Sequence, residues 1–320
     1  MKPTVVIAHT DFGDDLAVER EVLRQIDVNI VHTGNLIEAD ALAAAAEADA
    51  LMVTLERVTA PIIERMTHCR VISRAGTGLD TIDIPAATAR GIWVAYVPDY
   101  SIDEVSTHAI ALLLAQARGL SPLIDATRRG HWDPMASGAV HRLREQTLGV
   151  VGFGRIGQAT ASKGRGLGLR VLVYEPVLNE EATARIGVSA VDLQTLARES
   201  DYISLHTPLM DSTHHLVNDH FLALMKPTAY LINAARGPLV DEAALLTAVQ
   251  RGQIAGAALD VLAVEPPAAD SPLLSEPRIL ITPHSAWYSE EAKIEMRRRA
   301  AEEVVRVLRG ERPRAPANEI

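Results

Sequence analysis

The sequence is short of several things that would fix its class at once. Its 320 residues contain one cysteine, Cys69, which excludes an intrachain disulfide and a cysteine-based metal site. A lone thiol fits a reducing, cytoplasmic setting. Aromatic residues make up only 4%, so the core has to be built from Ala, Val, Leu and Ile. Basic residues are outnumbered, Lys plus Arg being 31 against 41 Asp plus Glu, a formal charge of −10. That argues against a nucleic-acid partner, because such binding draws its affinity from neutralised phosphates. No apolar run approaches the ~18 residues of a membrane span. Near the start, Asp11, Asp14 and Asp15 come too early for the apolar region of a signal peptide. The expectation is a cytoplasmic protein with no membrane and no nucleic-acid partner. At one domain per ~150 residues the chain has room for two.

What is present is a rhythm of short apolar runs and helical patterns. Strands are expected at Val5–Ala8, Val28–Val31, Asp49–Thr54 and Arg70–Ser73, with helices over Asp15–Gln25 and from Glu38. Apolar runs of this length, separated by helices, suit parallel strands covered on both faces. A helix over about Asp103–Arg118 is apolar nearly all round and is therefore expected to be buried. Gly119–Glu145, with Pro122, Gly130, Pro134 and Gly138, reads as an extended arm or loop, and Trp132 as its anchor or a subunit contact. A second alternating unit starts at Thr147. Its strands are expected at Leu148–Val151, Val171–Tyr174, Tyr202–Leu205, Ala229–Asn233, Ala257–Val261 and Ile279–Thr282. A last helix starts behind Ser289 as N-cap and ends before Gly310, with Glu290 and Glu291 first and Arg306 and Arg309 last, as the helix dipole favours.

Gly152-Phe153-Gly154-Arg155-Ile156-Gly157 is a G-x-G-x-x-G placed between a strand and a helical stretch. Gly152 permits the tight turn, Gly154 lets backbone approach a pyrophosphate, and Gly157 allows close helix–strand packing. Glu175 ends the next strand, 18 residues beyond Gly157. There an acid bonds a ribose 2′-hydroxyl and repels a 2′-phosphate, which points to NAD. The helix after the loop is expected to stop near Lys163, because Gly164, Gly166 and Gly168 follow and an interior glycine costs ~1 kcal/mol.

Three strand ends downstream carry reactive side chains: Arg236 after Asn233, Glu265 after Asp260, and His284 after Thr282. The carboxyl ends of strands in an open parallel sheet converge on one crevice, so these three can meet. Arginine grips a carboxylate with two hydrogen bonds. Histidine exchanges a proton near neutrality, and a glutamate on its other nitrogen fixes the tautomer. Any one alone is more simply a surface charge or a loop residue; together, beside a dinucleotide loop, they point to catalysis.

With these motifs, and with Arg74–Asp80, Val97–Ser101, His206-Thr207-Pro208-Leu209, Asn233–Asp241 and Asp260–Pro266, nearly the whole chain resembles the D-isomer-specific 2-hydroxyacid dehydrogenases. Thr282–Glu291 and Ile294–Arg297 look most like the C-terminal-binding-protein branch. The resemblance implies an α/β protein of two doubly wound parallel-sheet domains. A Rossmann NAD-binding domain, 99–289, is inserted into a flavodoxin-like substrate domain, 1–98 and 290–320. It implies catalytic Arg236, Glu265 and His284, and NAD as cofactor. Asp260 would hold the nicotinamide carboxamide, with Ala234, Ala235 and Ala286 lining that end. Thr207, Pro208 and Thr213 would border the adenosine and ribose side, and the backbone around Thr77 and Gly78 would hold the substrate carboxylate from the other domain. A small 2-oxo or 2-hydroxy acid is the implied substrate and a homodimer the implied assembly. An NAD(H)-sensing, partner-binding protein of the corepressor type is the alternative. The chain departs from the family in carrying Glu175 for the more frequent Asp, and Thr107 where many relatives have Glu.

No metal site is expected. His214 and His215 are adjacent and lack an acid cluster, and Cys69 reads as a packing residue. Trp287, three residues after His284, is read equally as a wall of the substrate pocket and as a packing residue before the last helix.

Overall fold

The structure, a computed structural model, describes residues 2–8, 16–33, 39–178 and 180–320. The expected helix starts at Asp15 and Glu38 lie outside these residues. The chain divides into two compact units, 1–100 with 289–320, and 101–288. The expected boundaries stood at 98/99 and 289/290.

The first unit runs β1 Thr4–Ala8, α1 Ala17–Leu23, β2 Asn29–His32, α2 Ala39–Ala46, β3 Ala50–Val53, α3 Ala60–Arg65, β4 Val71–Arg74, α4 Ile84–Ala89 and β5 Trp93–Tyr96, and ends with the C-terminal helix, Glu290–Leu308. Its sheet has the order β2-β1-β3-β4-β5, all parallel, which is the flavodoxin-like order. The inner strands β3 and β4 are buried along their whole length, whereas the edge strand β2 is largely exposed. β5 was not among the expected strands; its run Trp93-Val94-Ala95-Tyr96 is short and stops against Pro98.

The C-terminal helix starts as expected, the Ser289 hydroxyl accepting from the Ala292 N–H at 2.9 Å, and Gly310 at φ +86° ends it. It is locked to its own unit by polar contacts. Arg297 makes a two-pronged ion pair with Glu19 of α1, both bonds 2.6 Å and both side chains buried. Arg70 donates to the Val307 and Leu308 carbonyls at the helix end, where positive charge is favoured.

The second unit runs α5 Ile102–Ala117, α6 Leu120–Arg128, two 3-10 turns (Pro134–Ser137 and Leu143–Glu145), β6 Thr147–Val151, α7 Arg155–Gly166, β7 Arg170–Tyr174, α8 Glu180–Ile186, β8 Ser189–Ala190, α9 Leu193–Glu199, β9 Tyr202–Leu205, α10 Asp219–Leu224, β10 Tyr230–Asn233, α11 Glu242–Gln250, β11 Gly256–Leu259, α12 Pro272–Ser275 and β12 Ile279–Ile281. Its sheet order is β12-β11-β10-β9-β6-β7-β8, again parallel throughout. This is the Rossmann arrangement, 3-2-1-4-5-6 counted from β6, with one strand added. Chain order reverses between β6 and β9, and ligands bind in the crevice beyond the carboxyl ends of the strands at that point.

Two expectations are corrected in this unit. The arm at 119–145 is not wholly irregular. Gly119, at φ +54°, turns the chain into α6, whose first turn accommodates Pro122 because a first-turn proline gives up no helical hydrogen bond. The helix α7 does not stop at Lys163 but reaches Gly166. A Cβ on Gly164 would stand 2.7 Å from the Leu148 side chain, so the missing Cβ lets the helix lie close on β6. The two-residue β8 had no apolar signal to announce it. Lys163 ties α7 to α5, donating to Asp103 at 2.7 Å, Ser106 at 2.7 Å and Thr107 at 2.8 Å. Thr107 is thus spent on a helix–helix contact. Among the described residues no single helix is long and apolar enough to cross a membrane.

Candidate active site

Three loops leave the carboxyl ends of β10, β11 and β12 and are stitched to one another mainly through backbone. Asn233, fully buried, accepts from the Ala235 N–H at 3.0 Å and donates to the Arg236 carbonyl at 2.8 Å, pulling the first loop into a tight turn. The Asp260 N–H donates to the Asn233 carbonyl, and the His284 N–H to the Asp260 carbonyl, both at 2.8 Å. Gly237 makes the closest approach. A Cβ there would stand 2.0 Å from the Leu262 carbonyl carbon, so glycine is what lets the Arg236 loop run against the loop that carries Glu265.

Glu265 and His284 meet. The Glu265 Oε2 lies 2.6 Å from His284 Nδ1, and its Oε1 accepts from the Leu262 N–H at 2.7 Å, closing the turn that holds it. Burial opposes the charge on Glu265, but the bonds from His284 and Leu262 outweigh it and hold the carboxyl below its ordinary range. Ionised Glu265 is an acceptor, so His284 Nδ1 carries a proton and Nε2 is left as the second ring nitrogen. His284 sits at φ +52°, a left-handed backbone that a non-glycine residue adopts at a cost of order 1 kcal/mol. Arg236 is half-buried and donates from Nη1 to the Ala235 carbonyl at 2.7 Å.

Asp260 is almost completely buried, and both its oxygens point into the third loop. Oδ1 accepts from the Thr282 hydroxyl at 2.5 Å and the Ser285 N–H at 2.9 Å, and Oδ2 from the Ala286 N–H at 2.9 Å. Desolvation opposes its charge, but bonds from His108, Thr282, Ala286 and Ser285 hold its pKa down. Asp260 thus holds the third loop, a role that its place in the sequence does not announce.

The glycine loop fits a dinucleotide. Gly152 lies at φ +93°, and a Cβ on it would stand 2.6 Å from the His206 carbonyl carbon and the Thr207 nitrogen. A Cβ on Gly157 would stand 2.1 Å from the Gly152 oxygen, so the loop folds down on the first turn of α7. Gly154 is different, with open space where its Cβ would be, at the N-terminus of a twelve-residue helix. There exposed backbone N–H groups and the positive end of the dipole favour a phosphate. Arg155 is exposed and Ile156 partly buried on the first turn. Glu175 reaches the same loop, its Oε2 accepting from the Phe153 N–H at 2.7 Å.

Across the switch point, Thr207 and Pro208 follow β9. Thr213 folds back on that segment, its hydroxyl donating to the Pro208 carbonyl and accepting from the Met210 N–H. Ala234 and Ala286 are buried with Val105 in a small apolar cluster against which Ile156 and Trp287 pack, and Ala235 is half-buried beside Ala234. Trp287 also meets Tyr288 edge-on at 5.6 Å. Thr77 and Gly78 belong to the other unit, where the Thr77 hydroxyl donates to the Val97 carbonyl. His214 and His215 stack at 4.0 Å, and no group of three or more metal-ligating side chains occurs among the described residues. Cys69 is buried, its thiol pushed up to about 12 by desolvation.

Two histidines were missed in the sequence. His206 stands behind Gly152, its Nε2 2.9 Å from the Ser204 hydroxyl, and burial lowers its pKa to about 4. His108 projects from α5 to within 3.1 Å of the Thr282 hydroxyl and 3.4 Å of Asp260. Its signal was a polar residue between Val105 and Leu112 on the buried face of that helix.

A sequence model of the family described as D-isomer specific 2-hydroxyacid dehydrogenase, NAD binding domain, matches residues 110–286. The chain is 38% identical over 299 residues to a D-3-phosphoglycerate dehydrogenase of Synechocystis sp., covering 93% of this chain and 53% of that one. It is 38% identical over 272 residues to a glyoxylate reductase of Korarchaeum cryptofilum, covering 83% and 82%. The crystal structure of a D-lactate dehydrogenase from Aquifex aeolicus, complexed with NAD and lactic acid, superposes with a TM-score of 0.88 at 29% identity, over 96% of each chain. The chain belongs to the D-isomer-specific 2-hydroxyacid dehydrogenase family, and its second unit is the NAD-binding domain. It spans about half the length of the phosphoglycerate dehydrogenases it matches.

Proposed function

We propose that the protein is an NAD-dependent oxidoreductase that interconverts a 2-oxo acid and its D-2-hydroxy acid. The observation that carries this reading is the 2.6 Å Glu265–His284 pair, its glutamate on a loop that runs against the Arg236 turn, in the same unit as a dinucleotide-binding loop. Arg236 holds the substrate carboxylate through its planar fork and polarises the neighbouring carbonyl. His284 Nε2 gives a proton to the carbonyl oxygen as it becomes a hydroxyl, and takes it back in the oxidising direction. Glu265 keeps Nδ1 protonated and stabilises the imidazolium by its charge. When bound, NADH supplies the hydride that C2 receives.

The cofactor is held by the glycine loop at Gly152, Gly154 and Gly157, with Arg155 and Ile156 on the first turn of α7 and Glu175 on the ribose. Asp260 Oδ2, which accepts from the Ala286 N–H, is the oxygen assigned to the carboxamide N–H. Ala234, Ala235 and Ala286 line that end, and Thr207, Pro208 and Thr213 the adenosine side. The apolar cluster around Val105 and Trp287 keeps water from the reacting end. A homodimer belongs to this reading, because Trp132 is 90% and Met135 74% exposed on the segment after α6. Sedimentation tests the dimer. The activity is tested by NADH oxidation against glyoxylate, hydroxypyruvate, phosphohydroxypyruvate, pyruvate and longer apolar 2-oxo acids. Oxidation of NADH with at least one of them is expected, and turnover with none would overturn the reading.

A further inference from the structure

We propose that His108 is a positioning residue for His284, acting through Thr282 and Asp260. The inference rests on the oxidoreductase reading for its catalytic consequence, but not for its geometry.

The direction of each hydrogen bond follows from the donors available. Asp260 is an acceptor only, because its carboxyl is ionised. The Thr282 hydroxyl has one proton and spends it on Asp260 Oδ1 at 2.5 Å. With that proton spent, the hydroxyl can only accept from the ring nitrogen beside it, His108 Nε2, 3.1 Å away. His108 therefore carries its proton on Nε2, and the same N–H leans toward Asp260 Oδ1 at 3.4 Å. One imidazole thus sets the rotamer of Thr282 and partly compensates the buried charge of Asp260.

From Asp260 the hold passes to the catalytic loop at three consecutive backbone amides. Its main-chain carbonyl accepts from His284 N–H, Oδ1 from Ser285 N–H and Oδ2 from Ala286 N–H. Those bonds keep His284 in its left-handed backbone at φ +52° and so aim its ring at Glu265. A strained conformation persists only where its surroundings over-determine it. His108 adds to these surroundings from α5, far away in sequence. Without its N–H, the Thr282 hydroxyl can turn away and Asp260 loses two of its compensating groups.

The test compares His108→Leu, which removes the donor, with His108→Gln, whose amide nitrogen can reach the place of Nε2. Two readouts are followed on the full chain: hydrogen exchange of the Ser285 and Ala286 amides without cofactor, and kcat and KM for 2-oxo acid reduction. His108→Leu is expected to speed exchange at these amides about tenfold or more while the core strands stay protected. It is expected to lower kcat about ten- to a hundredfold through misplacement of His284. His108→Gln is expected to restore both to within about threefold of the parent. Should His108→Leu fail to fold, His108→Asn, whose shorter amide cannot reach Thr282, takes its place against His108→Gln. Unchanged exchange on loss of the donor would overturn the proposal, and so would a Gln variant no better than Leu or Asn. The exchange readout is independent of turnover. Donor-dependent exchange in a protein that reduces no 2-oxo acid would defeat the oxidoreductase reading and not the linkage.

Discussion

His284 Nδ1 and Glu265 Oε2 stand 2.6 Å apart, although each side chain is about a third exposed or less and they come from the ends of neighbouring strands. A charge-assisted bond this short fixes the ring plane as well as the tautomer, and in the proposed mechanism the other ring nitrogen is the one that exchanges a proton. The same carboxylate is anchored from behind by the Leu262 N–H, which stops Glu265 from following the ring if it rotates.

Removing the proton carrier should therefore hurt chemistry and spare binding. His284→Ala is expected to cut turnover by about 10²–10⁴-fold, with NADH affinity measured by fluorescence titration nearly unchanged. Glu265→Gln keeps an acceptor for Nδ1 but loses the anion. Its alkaline limb in the pH–rate profile of reduction is expected to move to lower pH. A full rate in His284→Ala would remove the proposed mechanism.

Cofactor choice should follow from Glu175. One of its oxygens is held by the Phe153 N–H, so the carboxylate stays beside the glycine loop instead of swinging into solvent. A fixed anion there accepts from a ribose diol and repels a 2′-phosphate. NADH is expected to bind much more tightly than NADPH at low salt, and Glu175→Ala to narrow the gap. Equal affinities for the two cofactors in the parent protein would refute this role.

Acid should weaken the second unit through His206. Burial lowers its pKa to about 4, whereas the unfolded residue titrates near 6.5. Between those values the unfolded chain binds a proton that the folded one refuses, so stability is full above pH 6.5 and falls as the pH drops toward 4. The loss by pH 5 is on the order of 1–2 kcal/mol. His206→Asn, which does not titrate, is expected to lose that much less stability than the parent between pH 7 and pH 5 in urea unfolding. Parallel losses in the two proteins would show that His206 does not carry the effect.

The parts of this site that could be read from the sequence are those whose chemistry is local. The glycine loop announces itself because Gly152 and Gly157 answer nearby steric demands, and the strand–helix alternation because burial on both faces of a strand such as β3 demands apolar residues throughout. Arg236, Glu265 and His284 were legible as strand-end residues. Their stitching was not, because Gly237 against Leu262 and Asp260 against three loop amides are contacts between segments far apart in sequence. His108 and His206 were missed for the same reason, since each gains its meaning only from Thr282 or Gly152 brought alongside. α7 runs past Lys163 because the packing of Gly164 on Leu148, a contact outside the helix itself, offsets the low helix propensity of glycine.

Trp287 is expected to set the size of substrate the site rewards. It is partly buried and packs in the cluster that also holds Ala286, two residues beyond His284, the proposed proton carrier. An indole there covers the C3 side chain of a 2-oxo acid with apolar area and offers little to a bare hydrogen or a phosphate. Shielding about 60 Å² at ~25 cal/mol per Å² contributes roughly 1.5 kcal/mol, or about tenfold in kcat/KM. The protein is therefore expected to favour 2-oxo acids with apolar or thioether side chains over glyoxylate and phosphohydroxypyruvate. Trp287→Ala separates this role from simple packing when kcat/KM is measured on 2-oxo-4-methylpentanoate and on glyoxylate. A loss of about tenfold confined to the longer acid supports the pocket wall. Equal losses on both acids, with a lower melting temperature, would make Trp287 a packing residue only and leave substrate size to be set elsewhere.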